Sequence, residues 1–157
     1  MNWKHISIID NKFYKNPKPY IIQSTLAALF LAITFYLIWS INHVVVAGIG
    51  STTFILFALP ENRANTPRNI IGGHTVAMLI GVAFSFIPNN VVAGSCAVGA
   101  AILIMTMTDT EHPPAASTAL GTAVETFNAE LLVFVVIATT LLVLFQRSIR
   151  KHLIDLV

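Results

Sequence analysis

Ile70–Ile87 reads IIGGHTVAMLIGVAFSFI and Val91–Met107 reads VVAGSCAVGAAILIMTM, with Pro88-Asn89-Asn90 between them. Neither run contains Lys, Arg, Asp or Glu. A helix that crosses a bilayer needs about 20 mostly apolar residues, and both runs approach that length. Pro-Asn-Asn is a turn signal. Two uncharged apolar runs on either side of a polar turn predict a helical hairpin in lipid.

The same pattern extends in both directions. Ile21–Ile41 is long enough to cross, and Leu131–Phe145 is an apolar run that ends against Gln146-Arg147. Val44–Leu59 and Pro113–Val124 are shorter and richer in small residues. The 157-residue chain is 55% hydrophobic and 10% charged, with a mean hydropathy of +0.76. A soluble domain carries roughly 25% charged residues, so lipid is the expected solvent and the expected fold class is an all-α, polytopic membrane helix bundle. Residues 1–19 form an N-terminal cytoplasmic or interfacial segment, 20–146 the transmembrane domain and 147–157 a basic cytoplasmic tail. Trp3, Ile6, Ile9 and Phe13 recur at helical steps, which suits either a surface helix or a plain tail. The N-terminal stretch has no apolar h-region and is not read as a cleavable signal. Cys96, the single cysteine, is expected to pack as a small residue. The net charge of +2 is too small to argue for a nucleic-acid partner.

The placement of charge sets the expected topology. The 9 Lys and Arg fall in the N-terminal tail (Lys4, Lys12, Lys15, Lys18), after Val44–Leu59 (Arg63, Arg68) and in the C-terminal tail (Arg147, Arg150, Lys151). The positive-inside rule puts all three on the cytoplasmic side. An even number of crossings then separates each from the next, giving six crossings with both termini cytoplasmic in a multi-pass cell-membrane protein. Residues 113–127 supply a short fifth crossing. With that segment as a loop, five crossings would leave the basic C-terminus outside.

Six crossings divide into two sets of three, each long, short, long, and the second set would be inverted. Such 3+3 inverted repeats place transport sites where short or broken helices meet. His43 precedes Gly50-Ser51-Thr52, and His112 precedes Ala116-Ser117-Thr118. Gly, Ser and Thr also serve simply as close-packing residues in lipid. Gly73, Ala77 and Gly81 repeat along one helix face, as do Ala93, Ala97 and Ala101 on the next. These faces suit close packing either within the bundle or between subunits. So short a chain has little protein to enclose a pore, so a homo-oligomer surrounded by membrane lipid is expected.

The densest polar cluster is Thr108-Asp109-Thr110-Glu111-His112-Pro113-Pro114. Proline suits a first helical turn, so Pro113 and Pro114 are expected to open a short helix. The amides from Ala115 onward would then favour a small anion. Ser117 and Thr118 would add hydroxyls, with Ser51, Thr52 and His43 facing them from the other short segment. His112 would donate to the anion or relay a proton. Asp109 and Glu111 would repel an anion, hold His112 protonated or carry a coupled proton. Arg63, Arg68 and His74 join them at the expected cytoplasmic mouth, the arginines as anion attractors, as topology anchors or as partners of Glu61, Asp109 or Glu111. No metal, cofactor or enzyme activity is expected, because nucleophile elbows, phosphate loops and helical two-histidine spacings are absent.

Pro67-Arg68-Asn69-Ile70-Ile71-Gly72-Gly73-His74 and Glu111-His112-Pro113-Pro114-Ala115-Ala116-Ser117-Thr118-Ala119-Leu120 together resemble the HPP family of integral membrane proteins. Gly50-Ser51-Thr52-Thr53 is similar to that family's small-residue segment. The resemblance covers about Ile21 to Phe145. Glu111 departs from it, standing where the family pattern carries an apolar residue. Some plastid and cyanobacterial relatives are associated with nitrite transport, so the resemblance implies a small-anion transporter or channel, with nitrite the best single substrate. A non-transporting membrane assembly or sensory subunit is the alternative, and a proton- or cation-coupled carrier a further one.

Overall fold

The computed structural model describes residues 9–37, 43–125 and 129–157. In chain order they form α1 (Asn11–Lys15), α2 (Pro17–Leu37), α3 (His43–Ala58), a 3₁₀ turn (Arg63–Asn65), α4 (Pro67–Phe84), α5 (Asn90–Met107), α6 (Ala115–Val124), α7 (Ala129–Ile149) and a second 3₁₀ turn (Arg150–His152). Among the described residues every regular element is helical.

The helix boundaries follow from local chemistry. Thr66 caps α4 by accepting from the Asn69 amide, and Pro67 occupies its first turn, where no donor is lost. Asn89 caps α5 by accepting from the amides of Val91 and Val92, so the Pro88-Asn89-Asn90 turn lies where expected. α5 ends at Thr108, and Asp109 takes a positive φ of 53°, a left-handed conformation that Asp tolerates better than most residues. The chain reverses there into α6. Pro113 and Pro114 do precede that helix, which starts at Ala115.

By length and composition, Pro17–Tyr36, Asn90–Met107 and Ala129–His152 can each cross a membrane. The ten residues of α6 rise only about 15 Å, roughly half of a 30 Å hydrocarbon layer. Asn42 and Asn128, which fall between consecutive expected crossings, lie outside the described residues.

α6 occupies the centre, packed against α3, α4 and α5. Small residues make this possible. A Cβ on Gly73 would come within 2.8 Å of the Thr110 carbonyl and His112 Cβ, and one on Gly81 within 2.7 Å of the Ala119 carbonyl. Ala77, Ala93, Ala97, Ala101, Ala115, Ala119 and Ala123 line the same seam. The small faces of α4 and α5 are therefore buried against α6. Lipid offers no hydrophobic drive between helices, so close van der Waals contact is what holds such a seam. Cys96 is exposed on the outer side of α5, a correction to the packing role expected of it: Ala93, Ala97 and Ala101 take the inner face.

Large apolar side chains such as Leu29, Ile33, Leu103, Val133 and Leu144 point outward. Exposed apolar surface of this kind is what lipid contact requires. Meanwhile one end of the bundle is laced together by polar contacts. Gln23 of α2 donates to the carbonyls of Phe57 and Ile154 and accepts from the Ile154 amide. The Leu156 amide donates to Ala58 O at 2.9 Å, and the Tyr20 hydroxyl to Leu156 O at 2.9 Å. The start of α2, the end of α3 and the C-terminal tail thus meet at one end.

Candidate functional site

Four buried polar side chains converge where α3, α4, α6 and the 108–114 linker meet. They are Thr52, His74, His112 and Thr118. Thr52 Oγ1 lies 3.0 Å from His74 Nε2, 2.9 Å from His112 Nε2 and 3.0 Å from the Gly48 carbonyl. His74 Nδ1 lies 2.8 Å from Thr118 Oγ1, and His112 Nδ1 lies 2.9 Å from the Ala64 carbonyl. The imidazole centroids are 5.2 Å apart. Gly73 places the linker: without a Cβ, α4 lets His112 settle against it.

The positions of the protons follow from valence. The Ala64 carbonyl only accepts, so His112 carries a proton on Nδ1. A neutral His112 then has a bare Nε2 that must accept, and Thr52 is the donor in reach. Having given its one proton to His112, Thr52 accepts from His74 Nε2–H. That leaves His74 Nδ1 bare, and it accepts from the Thr118 hydroxyl. The result is one directed chain, Thr118 to His74 to Thr52 to His112 to Ala64, in which every ring nitrogen is satisfied. Gly48 O still has its helical amide partner. Among the described residues, the ring nitrogens contact no carboxylate.

Above this cluster is a polar vestibule of about 280 Å³ lined by Asn62, Arg63, Ala64, Asn69, Glu111 and Pro113. Arg63 is ion-paired with Asp109, and Arg68 lies 3.3 Å from the same carboxylate. Arg68 also donates to Thr108 O at 2.8 Å. Asn69 Nδ2 donates to the Glu111 carbonyl at 3.0 Å, tying the linker to α4. Among the described residues, Glu111 Oε2 is buried without a hydrogen-bond partner. A second, mostly apolar cleft of about 350 Å³ reaches His112 between Ile102, Met105, Glu111, Pro113 and Ala116.

Several expected site residues lie elsewhere. The amides of Ala115, Ala116 and Ser117 donate to the carbonyls of His112, Pro113 and Pro114 at 2.9, 3.1 and 3.2 Å. The tight turn satisfies them, so no open amide cradle precedes α6. Pro114 and Ala115 are buried. Ser51 is exposed on a different face of α3 from the buried Thr52, because adjacent helical residues diverge by about 100°. Ser117 is half-buried and fits the space left by Gly48. The side chain of His43 lies outside the described residues. His74, placed by its sequence neighbours at the mouth, is instead inside the cluster. The arginines take one of their expected roles, as partners of Asp109.

Sequence reasoning missed the pairing of His74 with His112, the Ala64 carbonyl and the bridging Asn69. His74 follows Gly73 on the small-residue stretch of α4. Small neighbours on one helix face are the signal that could have placed it inside the bundle.

The family model for the HPP transmembrane region matches residues 15–153, and the chain belongs to that family. A transmembrane protein of Dictyostelium discoideum is 32% identical over 83 residues, which is 50% of this chain and 29% of that relative. The chain thus covers under a third of that curated relative's length. No solved structure matches.

Proposed function

We propose that this member of the HPP transmembrane family carries a small anion across the membrane, with nitrite the first substrate to test. The observation that supports this reading is the fully buried His74–Thr52–His112–Thr118 cluster beneath a vestibule lined by Asn62, Arg63 and Asn69. Ionisable groups held inside a membrane bundle are costly, and they mark transport pathways and proton relays by default. In this reading the anion enters between Asn62, Arg63 and Asn69 and reaches His112, with Thr52 and Thr118 behind it. The chain makes six crossings in a 3+3 inverted arrangement, both termini face the cytoplasm, and subunits associate as a homo-oligomer. α6 then supplies the short crossing, shielded from lipid by α3, α4 and α5.

The test is flux into liposomes holding the purified chain, with nitrite, nitrate, formate and chloride as probes and empty liposomes as background. Nitrite influx above background that falls steeply in His112→Ala is expected. If none of the four anions moves, the protein is better read as a non-transporting assembly subunit. Topology is checked separately by placing a cysteine at Asn128 in a Cys96→Ala background. Labelling from outside supports six crossings, and labelling only from the cytoplasm rules them out.

A further inference from the structure

Thr52 has three hydrogen-bonding neighbours and one proton. That arithmetic gives the cluster two complete arrangements. In the first, Thr52 donates to His112 Nε2, as derived above. In the second, one extra proton sits on His112 Nε2, both Nε2–H groups donate into the two lone pairs of Thr52, and the Thr52 hydroxyl turns to the Gly48 carbonyl, already 3.0 Å away. Every ring nitrogen is satisfied in both arrangements, and no heavy atom has to move. A second extra proton would place two imidazolium charges 5.2 Å apart with no carboxylate on either ring.

We propose that His74, Thr52 and His112 form a store for a single proton, and that filling it is coupled to passage of the small anion. This rests on the transport reading above and assigns the coupling to the buried cluster instead of Asp109 and Glu111. The internal transfer balances without any co-reactant. An incoming proton bonds to Thr52 Oγ1 on the side of the Gly48 carbonyl as the original Thr52 proton passes to His112 Nε2. The Thr118–His74 and His74–Thr52 hydrogen bonds keep their direction. One proton enters and one resides on His112. The Thr52–His112 link is 2.9 Å long, short enough for the hop.

The positive charge so created lies directly below the vestibule, because Nδ1–H of His112 donates to Ala64 O and Ala64 lines that space. An anion entering there neutralises it. The ionisable groups around the pair are each ring itself and, at the mouth, Glu111, Asp109, Arg63 and Arg68. Asp109 is engaged by both arginines, which leaves Glu111 as the carboxylate beside the vestibule.

Two measurements on the full-length chain test the store, one independent of transport. In ¹⁵N-histidine NMR the pair should show opposite neutral tautomers, Nδ1–H for His112 and Nε2–H for His74, and take up one proton between them on acidification. Identical tautomers, or two independent protonations, overturn the proposal. In liposomes loaded with a pH dye, nitrite influx should carry one proton per anion. Thr52→Val should abolish the proton movement, and Thr52→Ser, which keeps the hydroxyl, should restore it. A Thr52→Val protein that retains the one-to-one ratio overturns the store. Nitrite influx without protons in the unaltered protein overturns the coupling and leaves the anion reading intact. Absence of nitrite influx defeats the transport reading and the coupling with it, while the tautomer experiment still decides whether the store exists.

Discussion

α2 and α6 are both apolar helices, yet they occupy opposite positions. α2 runs for 21 residues, and only 11% of its apolar window is buried within the protein. α6 runs for 10 residues, of which Ala115, Thr118, Ala119, Gly121, Thr122 and Ala123 are buried. In water the more hydrophobic helix would be sought in the core. In lipid that ordering fails, because the tails solvate Leu and Ile as well as another helix does. Small residues and hydroxyls mark the centre instead, since they allow close approach and find polar partners there.

The strongest way to break this contrast is to add bulk where α6 is seated. Gly81→Val should destabilise the bundle by about 3 kcal/mol or more, because its side chain would collide with Thr122 and the Ala119 carbonyl, and a carbonyl has little room to yield. Thermal unfolding in detergent measures this. Gly99→Val is the matching control, since a Cβ at Gly99 meets nothing within 4 Å. Its effect should stay within about 0.5 kcal/mol. A loss of oligomer mass in that variant would place a subunit contact on the outer face of α5.

A smaller effect is expected where α2 is fastened. Gln23→Leu removes the contacts to Phe57 and Ile154. The cost should be about 2 kcal/mol, from stranded backbone groups. Limited proteolysis should then release the tail near Leu153 while the α3–α6 core stays resistant. If the core becomes susceptible as well, α2 is more than a peripheral helix.

The smallest effect belongs to the mouth. Arg63 and Asp109 have side chains 77% and 54% exposed, so Asp109→Asn should cost below about 1 kcal/mol and lose even that in high salt. If Arg63 draws anions, the same variant should raise anion influx at low ionic strength by freeing its guanidinium.

Much of this was legible in particular residues. The Pro88-Asn89-Asn90 turn before α5 and the Pro113-Pro114 entry to α6 are local signals, legible because each depends on its immediate neighbours. The alternation of Gly73, Ala77 and Gly81 marked a packing face but not what it packed against. The anion cradle at Ala115 was drawn from a general property of helix starts, and the 112–115 turn removed it by filling the amides. Ser51 and Thr52 looked equivalent as neighbours in sequence, and only helix rotation separated them.

Apolarity, the uncharged runs and the clustering of Lys and Arg therefore determined the solvent, the helices and the basic end from sequence alone. These depend on composition and on interactions a few residues apart. Tertiary structure decided that α6 lies at the centre, that Asp109 engages both arginines, and that His74 meets His112 across Thr52. Those contacts join positions 22 and 60 residues apart. One backbone carbonyl, at Ala64, orients the protons of all four side chains. No local pattern carries that information, because a proton's place is set by the last acceptor in the chain.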